Sequence, residues 1–285
     1  QVREQLAMLA RRELLVQERE DVTFFHEQLR ETAYHEIEPE RRRDLHGRAA
    51  KLLQASSKKR AVSKGQLAHH WERAGELDTA RELFIKAARE ALENHALGMA
   101  DELLQRACAI CKDRSQLLDL KFERVESVLM HTLAMEQAGE QLEEIITVAR
   151  EEDRPSIRAR ALRMLGEVCI LSGDMRRAER LLREARARYE QLASSQGQAD
   201  ILLSLGKIKL SELELDDAHR FTQSALEIYR RIREQTGLAN AMVQQGDIAW
   251  RRGRIREAES AFTQARSLHQ KLGDIRGAAT STVWL

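Results

Sequence analysis

The chain has 285 residues, of which 42% are hydrophobic, 33% charged and 4% aromatic, and its formal net charge is +1. This balance argues against a nonspecific nucleic-acid binder, because such proteins use a net basic field to release phosphate counterions. Three cysteines are too few for a disulfide framework in a chain of this length, and no run of about 18 apolar residues predicts a membrane span. Abundant Ala, Leu, Glu, Arg and Gln favour an all-α protein. The small number of cysteines favours a reducing cytoplasm.

The first 55 residues follow a different pattern from the rest of the chain. A helix is predicted over residues 1–12, and the β-prone runs 14–16 and 22–25 then flank a polar tip at 17–21, which predicts a hairpin. Helices are expected over 26–37 and over 39–53, where Pro39 stands near a helix start. The order of helix, small hairpin and helix matches the last part of a winged-helix domain. We therefore expect a winged-helix remnant with its connecting helices over residues 1–56.

Four sets of small residues recur every 40 residues in the second half of the chain. In each period an apolar stripe with helical spacing leads to a turn such as 172–174, and a second apolar stripe follows. A glycine in the middle of a helix costs about 1 kcal/mol relative to alanine, so the first set is expected where the partner helix crosses closely. The four sets are Gly166, Gly206 and Gly246; Ala178, Ala218 and Ala258; Ala185, Ala225 and Ala265; and Gly197, Gly237 and Gly277.

This spacing resembles the tetratricopeptide repeat in a 40-residue form, most strongly over residues 159–276. Cys169, Lys209 and Ala249 stand where the family has a Tyr in the first helix. The resemblance implies an all-α, right-handed superhelical solenoid of helix pairs over residues 62–285. The expected units span 119–158, 159–198, 199–238 and 239–278, and an incomplete unit follows at 279–285. Because the chain starts at Gln1 and stops within a helical pattern, we expect it to be a piece of a longer polypeptide.

A second resemblance covers roughly residues 20–110. It is carried by the strings FFHEQLRETAY at 24–34, RRRDLH at 41–46 and LAHHWERAG at 67–75. These strings look like the segment that joins the ATPase module to the repeats in bacterial signal-transduction ATPases of the STAND class, including kinase-fused, cyclase-fused and maltose-activator-like proteins. The resemblance implies a nucleotide-binding domain before Gln1. No G-x-x-x-x-G-K-[ST] loop occurs in this chain, so ATP or ADP is expected only in that upstream domain, and no cofactor is expected here.

Several histidines and cysteines are candidates for chemistry. His26 is either a contact to bound nucleotide in the intact parent protein, as the resemblance implies, or a partly buried helix cap. Cys108 and Cys111 lack the second ligand pair of a zinc site, and packing cysteines are expected instead. His69 and His70 point about 100° apart on a helix, so no metal site is predicted. No sequence pattern supports a catalytic group.

The first helix of each tetratricopeptide pair lines the concave face of the solenoid, and a partner is expected there. Trp250 is either the anchor of that groove or a residue that packs against the incomplete next repeat. The predicted groove residues are Arg160, Arg163, Glu167, Asp200, Lys207, Asn240, Asp247, Trp250 and Arg251.

The sequence therefore predicts a cytoplasmic, non-catalytic regulatory region that binds a protein or peptide and couples it to an intramolecular ATPase module. Two alternatives stay open. One is a scaffold without nucleotide coupling, and the other is a fragment of a DNA-associated transcription regulator. The charge balance makes nucleic acid the less favoured partner, and no membrane partner is expected.

Overall fold

The structure, a computed structural model, describes residues 2–12, 14–18, 21–56, 62–132 and 134–283. In these ranges the backbone forms fifteen α-helices, one short 3-10 helix and one two-stranded hairpin. The chain divides into two compact units, Gln1–Lys112 (unit 1) and Asp113–Leu285 (unit 2), and each is described by itself. Within the described ranges, every helix is too short or too polar to cross a membrane.

Unit 1 begins with α1 (Val2–Arg11), β1 (Leu15–Glu18), β2 (Asp21–Phe24) and α2 (Glu27–Glu36). The two strands are antiparallel, with Leu15 opposite Phe24, so the predicted hairpin is confirmed. Residues 19–20 of the predicted polar tip lie outside the described residues. The assignment of this segment to a winged-helix domain stays a prediction.

Four longer helices complete unit 1, and each of them contains a fully buried alanine. The Ser63 side chain accepts a hydrogen bond from the amide of Gln66 at the start of helix α4 (Lys64–Ala74). Gly75 ends this helix in a left-handed conformation. Phe84 is fully buried, as are the small residues Ala68 and Ala100. The four helices are α3 (Pro39–Ser56), α4 (Lys64–Ala74), α5 (Leu77–Glu93) and α6 (Leu97–Ile110).

Unit 2 is a succession of antiparallel helix pairs, as the 40-residue period predicts. The first helices of three successive pairs begin at Pro155, Ser195 and Gln235, so they are 40 residues apart. The helices are α7 (Arg114–Ser127), α8 (Met135–Glu151), α9 (Pro155–Leu171), α10 (Met175–Gln191), α11 (Ser195–Ser211), α12 (Leu215–Ile232), α13 (Gln235–Arg251), α14 (Ile255–Lys271) and α15 (Ile275–Val283). The last predicted unit continues to residue 285, but residues 284–285 lie outside the described residues.

The turns of unit 2 recur at half of the 40-residue period. A residue with positive φ ends a helix every 20 residues, and three of these seven positions are glycines, as the sequence predicts for Gly173. Ala193, Leu213 and Arg233 adopt the same left-handed conformation although they carry a Cβ, which costs roughly 1–2 kcal/mol each. The seven positions are 153, 173, 193, 213, 233, 253 and 273.

The mid-helix glycines mark close helix crossings, which confirms the prediction. A Cβ built at Gly166 would lie 3.0 Å from the Leu182 side chain, and one built at Gly246 would lie 2.7 Å from Phe262. Leu182 and Phe262 occupy the same position of the second helix, two pairs apart. Each first helix therefore leaves room at its glycine for a side chain of its partner.

A second set of glycines packs against the preceding pair. The polar run Ser194–Gly197 predicts a loop. The structure instead places Gly197 in the first turn of α11, where its amide donates to the Ser194 side chain at 3.1 Å. The Tyr189 ring fills the volume that a side chain at Gly197 would need, and Tyr229 does the same at Gly237. His269 takes this place at Gly277. A tyrosine or histidine ring therefore packs each of these helix pairs against the next one.

A substitution of Leu213, in a left-handed turn, by glycine should stabilise the protein, whereas the same substitution of a helical leucine should destabilise it. Leu213→Gly should raise the free energy of unfolding by about 1 kcal/mol, because glycine adopts φ of 62° without the Cβ penalty. Leu171→Gly, at the right-handed end of α9, is the matched control, because the exposed fractions of the two side chains are 68% and 67%. The control should lower stability by up to about 1 kcal/mol in urea unfolding. Equal effects of both variants would refute this account.

The ring contact at Gly197 should not tolerate an added methyl group. Gly197→Ala should lower the free energy of unfolding by about 1–3 kcal/mol, because the Tyr189 ring would have to move. In Gly139→Ala the new Cβ meets Val168 at an ordinary 3.8 Å within a helix, so this variant should be neutral or slightly stabilising. Thermal unfolding of both variants checks the difference, and a neutral Gly197→Ala would contradict the ring contact.

Candidate functional site

A partly buried polar network connects α9 to α11 in unit 2. Arg163 Nη1 donates to Glu167 Oε1 at 2.9 Å, one turn further along α9. Arg163 Nε lies 3.8 Å from Asp200 Oδ2 on α11. The Ser204 hydroxyl of α11 donates to Glu167 Oε1 at 3.2 Å. Three of the nine predicted groove residues therefore bind one another.

Two tyrosines from the second helices complete this network. The Tyr229 hydroxyl donates to Asp200 Oδ1 at 2.6 Å. Burial raises the pKa of the Tyr189 hydroxyl, and the nearby Arg163 guanidinium opposes this rise. These are the rings that pack over Gly237 and Gly197, so the same side chains supply apolar packing and polar contacts. The network consequently spans two successive helix pairs.

Burial and charge act against each other within the network. Burial disfavours ionised Glu167, but Arg163 and Lys207 more than offset this effect, and the pKa of Glu167 lies below its ordinary value. Burial raises the pKa of Asp200, and the opposing effects of Arg163 and Tyr229 are too small to cancel it. Burial also raises the pKa of the Tyr229 hydroxyl, and the nearby Asp200 carboxylate raises it further.

Local sequence explains how these groups meet. Arg163 and Glu167 are four residues apart, so they share one face of α9. Asp200 lies 40 residues after Arg160 and so takes the equivalent place on the next first helix. The 40-residue step brings it level with Arg163, where an acidic side chain balances the guanidinium.

A buried amide links α13 to α11. Gln244 is buried, and its side-chain amide is oriented so that the nitrogen faces acceptors and the oxygen faces donors. The nitrogen donates to the Leu203 carbonyl at 3.2 Å, and the oxygen accepts from the Lys207 backbone amide at 3.0 Å. It also accepts from the Thr222 hydroxyl at 3.1 Å. A side chain of the next pair thereby binds backbone groups of α11, next to the crossing at Gly206.

The other six predicted groove residues have a variety of surroundings. Arg160 forms an ion pair with Glu126 and lies over the Phe122 ring, 4.6 Å from its centroid. Arg251 Nε donates to Asp247 Oδ1 at 2.9 Å. The exposed residues among the six are Lys207, Asn240, Trp250 and Arg251, and the exposed fraction of Trp250 is 50%.

Outside this network, His26 is exposed and precedes α2. Its side chain forms no capping hydrogen bond, and its ring meets Phe25 edge to face with centroids 4.7 Å apart. A role toward nucleotide in a parent protein stays a prediction. Across the described part of the chain, no three His, Cys, Asp or Glu side chains are arranged to hold a metal ion.

The sequence reasoning missed Tyr189, Ser204, Tyr229 and Gln244. A usable signal existed for the tyrosines, because 189, 229 and 269 follow the same 40-residue period as the glycines they cover. Ser204 and Gln244 carry no such signal. Their role depends on which face of each helix turns inward.

Solved structures share this fold. The apo form of RapI matches 86% of this chain and 82% of its own, with a TM-score of 0.57 and 14% identity. A Rap protein complexed with Competence and Sporulation Factor matches 90% of this chain and 77% of its own, with a TM-score of 0.51 and 14% identity. A STAND protein with a tetratricopeptide repeat sensor from Pyrococcus horikoshii matches 98% of this chain but 42% of its own, with a TM-score of 0.52 and 17% identity.

These matches confirm the predicted all-α tetratricopeptide-type solenoid, and at such low identities they concern the fold alone. No protein-family model matches the chain, and no curated protein sequence matches it. A STAND parent protein and a winged-helix origin of the first residues therefore stay predictions.

Removal of the Arg163 guanidinium should destabilise unit 2 strongly. Arg163→Met should lower the free energy of unfolding by about 3–5 kcal/mol at pH 7, because two largely buried carboxylates lose their partner. Without Arg163 the folded-state pKa of Glu167 should rise, so the deficit should shrink as the pH falls and the carboxylates become protonated.

The matched control is Arg183→Met, which removes an exposed pair with Glu179 and should change stability by about 0.5 kcal/mol or less. Urea unfolding at pH 7 and pH 4 separates the two variants. A small, pH-independent effect of Arg163→Met would show that the network contributes little to stability.

Proposed function

We propose that unit 2 binds a protein or peptide segment along the face formed by α9, α11 and α13, and that it regulates rather than catalyses. The observation that carries the proposal is the exposed face of α13. An α-helix turns by 100° per residue, so Asn240, Asp247 and Arg251 lie within about 40° of one another around the axis of α13. Trp250 lies about 60° further around the axis from Asp247. This face combines an amide, an ion pair and a half-exposed indole.

These side chains have the chemistry that binds a polypeptide. The Asn240 amide offers both donors and an acceptor, which complement the N–H and C=O groups of an extended peptide. Trp250 offers a large apolar surface and an N–H, and such residues contribute most of the affinity in many interfaces. A partner that covers both would gain hydrogen bonds and apolar burial together.

The charge of the face supports a polypeptide rather than a nucleic acid. Among the residues that lie on this face or pair with it, four are basic and four are acidic, so there is no cationic field to attract phosphates. Much of this charge is already neutralised by the internal pairs of α9 and α11. The basic residues are Arg160, Arg163, Lys207 and Arg251, and the acidic residues are Glu126, Glu167, Asp200 and Asp247.

The internal network gives the face a fixed shape before a partner arrives. Arg163, Glu167 and Asp200 hold α9 and α11 in register, and Gln244 holds α13 against α11. A preformed surface loses little conformational entropy on binding. In this proposal those residues position the helices, and Lys207, Asn240, Trp250 and Arg251 contact the partner.

The finer part of the proposal places the chain in a bacterial, cytoplasmic STAND-type signalling ATPase, as a sensor region. The motifs within residues 20–110 support it, and so does the shared fold with a STAND protein that has a tetratricopeptide repeat sensor. The solved Rap complex with Competence and Sporulation Factor is a precedent for ligand binding by this fold. A scaffold without nucleotide coupling is the second candidate, and the lack of a phosphate loop in the gene sequence upstream of Gln1 would favour it.

A selected peptide provides the test of binding. A random-peptide display library is panned against the full chain, and the best peptide is labelled for fluorescence anisotropy. Asn240→Ala and Trp250→Ala should each weaken its affinity about tenfold or more, which corresponds to about 1.4 kcal/mol. Affinity should change little between low and moderate salt, because few counterions are released.

Arg220→Ala is the matched control, because this exposed side chain lies on the second helix α12 and pairs with Asp217. It should leave the affinity unchanged. Wild-type affinity in both face variants would refute the proposed face. In the intact parent protein, a peptide that alters ADP affinity, and whose own affinity ADP alters equally, would support the sensor over the scaffold.

A further inference from the structure

Unit 1 contains a pocket that the proposed function does not use. Its volume is about 860 Å³, which lies in the range of small-molecule sites. Four helices contribute to it: α2, α3, α4 and α6. Leu53 and the Tyr34 ring supply apolar surface, and the other lining side chains are polar or charged. The pocket therefore pairs an apolar wall with converging polar groups.

A chain of hydrogen bonds crosses the pocket. The Tyr34 hydroxyl lies 3.0 Å from His46 Nε2, and His46 Nδ1 lies 3.1 Å from His70 Nδ1. One of the two facing Nδ1 atoms must accept while the other donates, so the two imidazoles cannot both be cationic in this arrangement. Burial lowers the pKa of His46, and His70 and Arg73 lower it further. The free pocket therefore holds at least one neutral imidazole.

The charged groups that face this pair are mostly basic. From α2 come Arg30, Glu31 and His35, and from α4 and α6 come His69, Arg73 and Arg106. Arg106 forms an ion pair with Glu72, and Arg30 forms one with Glu27. Arg73 forms no ion pair or hydrogen bond with any residue that the structure describes. It is exposed, and it lowers the pKa of His46 through space.

We propose that this pocket binds a small organic molecule through an oxyanion, a phosphate or a carboxylate. The Arg73 guanidinium and the His46–His70 pair would contact the oxyanion, and Leu53 and Tyr34 would contact the apolar body of the ligand. An anion beside the imidazoles favours their cationic form, so the pair takes up a proton when the ligand binds.

A metal site or a purely structural role would account for less of this geometry. A metal site would need a third ligand, and within the described residues no such group of His, Cys, Asp and Glu side chains exists. A purely structural role explains the bond from Tyr34 to His46, but it leaves Arg73 exposed at the rim with no partner among the described residues. An anion satisfies both features, because Arg and His⁺ are strong donors to oxyanions.

The full chain is titrated with pyrophosphate and, separately, with citrate, at constant ionic strength with chloride as the reference anion. Calorimetry should show saturable binding of at least one probe, and the one that binds identifies phosphate or carboxylate as the preferred group. Arg73→Gln and His70→Gln should each weaken binding about tenfold. Lys86→Gln, an exposed cation of α5 outside the pocket, is the matched control and should bind as the wild type does.

Proton uptake gives a second readout. Affinity should rise as the pH falls from 8 to 6, and the slope should decrease in His46→Gln measured with the same probe, since the titration of the probe itself is common to both proteins. Far-UV circular dichroism verifies that the variants are folded, and Arg73→Gln alters only an exposed side chain. Binding of neither probe beyond chloride, or equal weakening by Arg73→Gln and Lys86→Gln, would overturn the proposal.

Discussion

The packing of a ring against a glycine hydrogen constrains most of unit 2. Tyr189 over Gly197 and Tyr229 over Gly237 fix the distance between the second helix of one pair and the first helix of the next. The Tyr229 hydroxyl donates to Asp200, and the Tyr189 hydroxyl lies near the Arg163 guanidinium. Because packing and polar contacts depend on one ring, the network forms only where the helices are already at this spacing. The third copy has His269, whose Nδ1 lies 2.9 Å from Asp274 Oδ2.

The fold could be predicted from the sequence because its main constraint is periodic. A glycine that recurs at 166, 206 and 246 within apolar stripes indicates a repeated close crossing of helices, and the structure confirms it. The left-handed turn at Leu213 could not be predicted, since glycine is the usual signal for that conformation. There the regular spacing of the helices overrides the local preference of the residue.

The candidate sites were less predictable, because they depend on how helix faces turn toward each other. Arg163 and Glu167 have the spacing of an exposed pair on one helix, yet Asp200 and Tyr189 enclose them. The pocket of unit 1 joins His46 to His70, residues 24 positions apart on different helices. No short motif records that contact. The two units accordingly differ in chemistry: the face of unit 2 is balanced in charge, and the pocket of unit 1 is mainly basic.

The regular spacing of the left-handed turns, from Asp153 to Gly273, has a consequence for how such a chain can change in length. Every stretch between equivalent turns has the same number of residues, and its helix begins at the same position. A duplicated stretch of two helices would therefore dock onto its parent copy through the same kinds of contact, whereas an insertion of a few residues within one helix would misalign that helix with the helices that pack on it. The architecture favours growth by whole modules and strongly disfavours small insertions within helices.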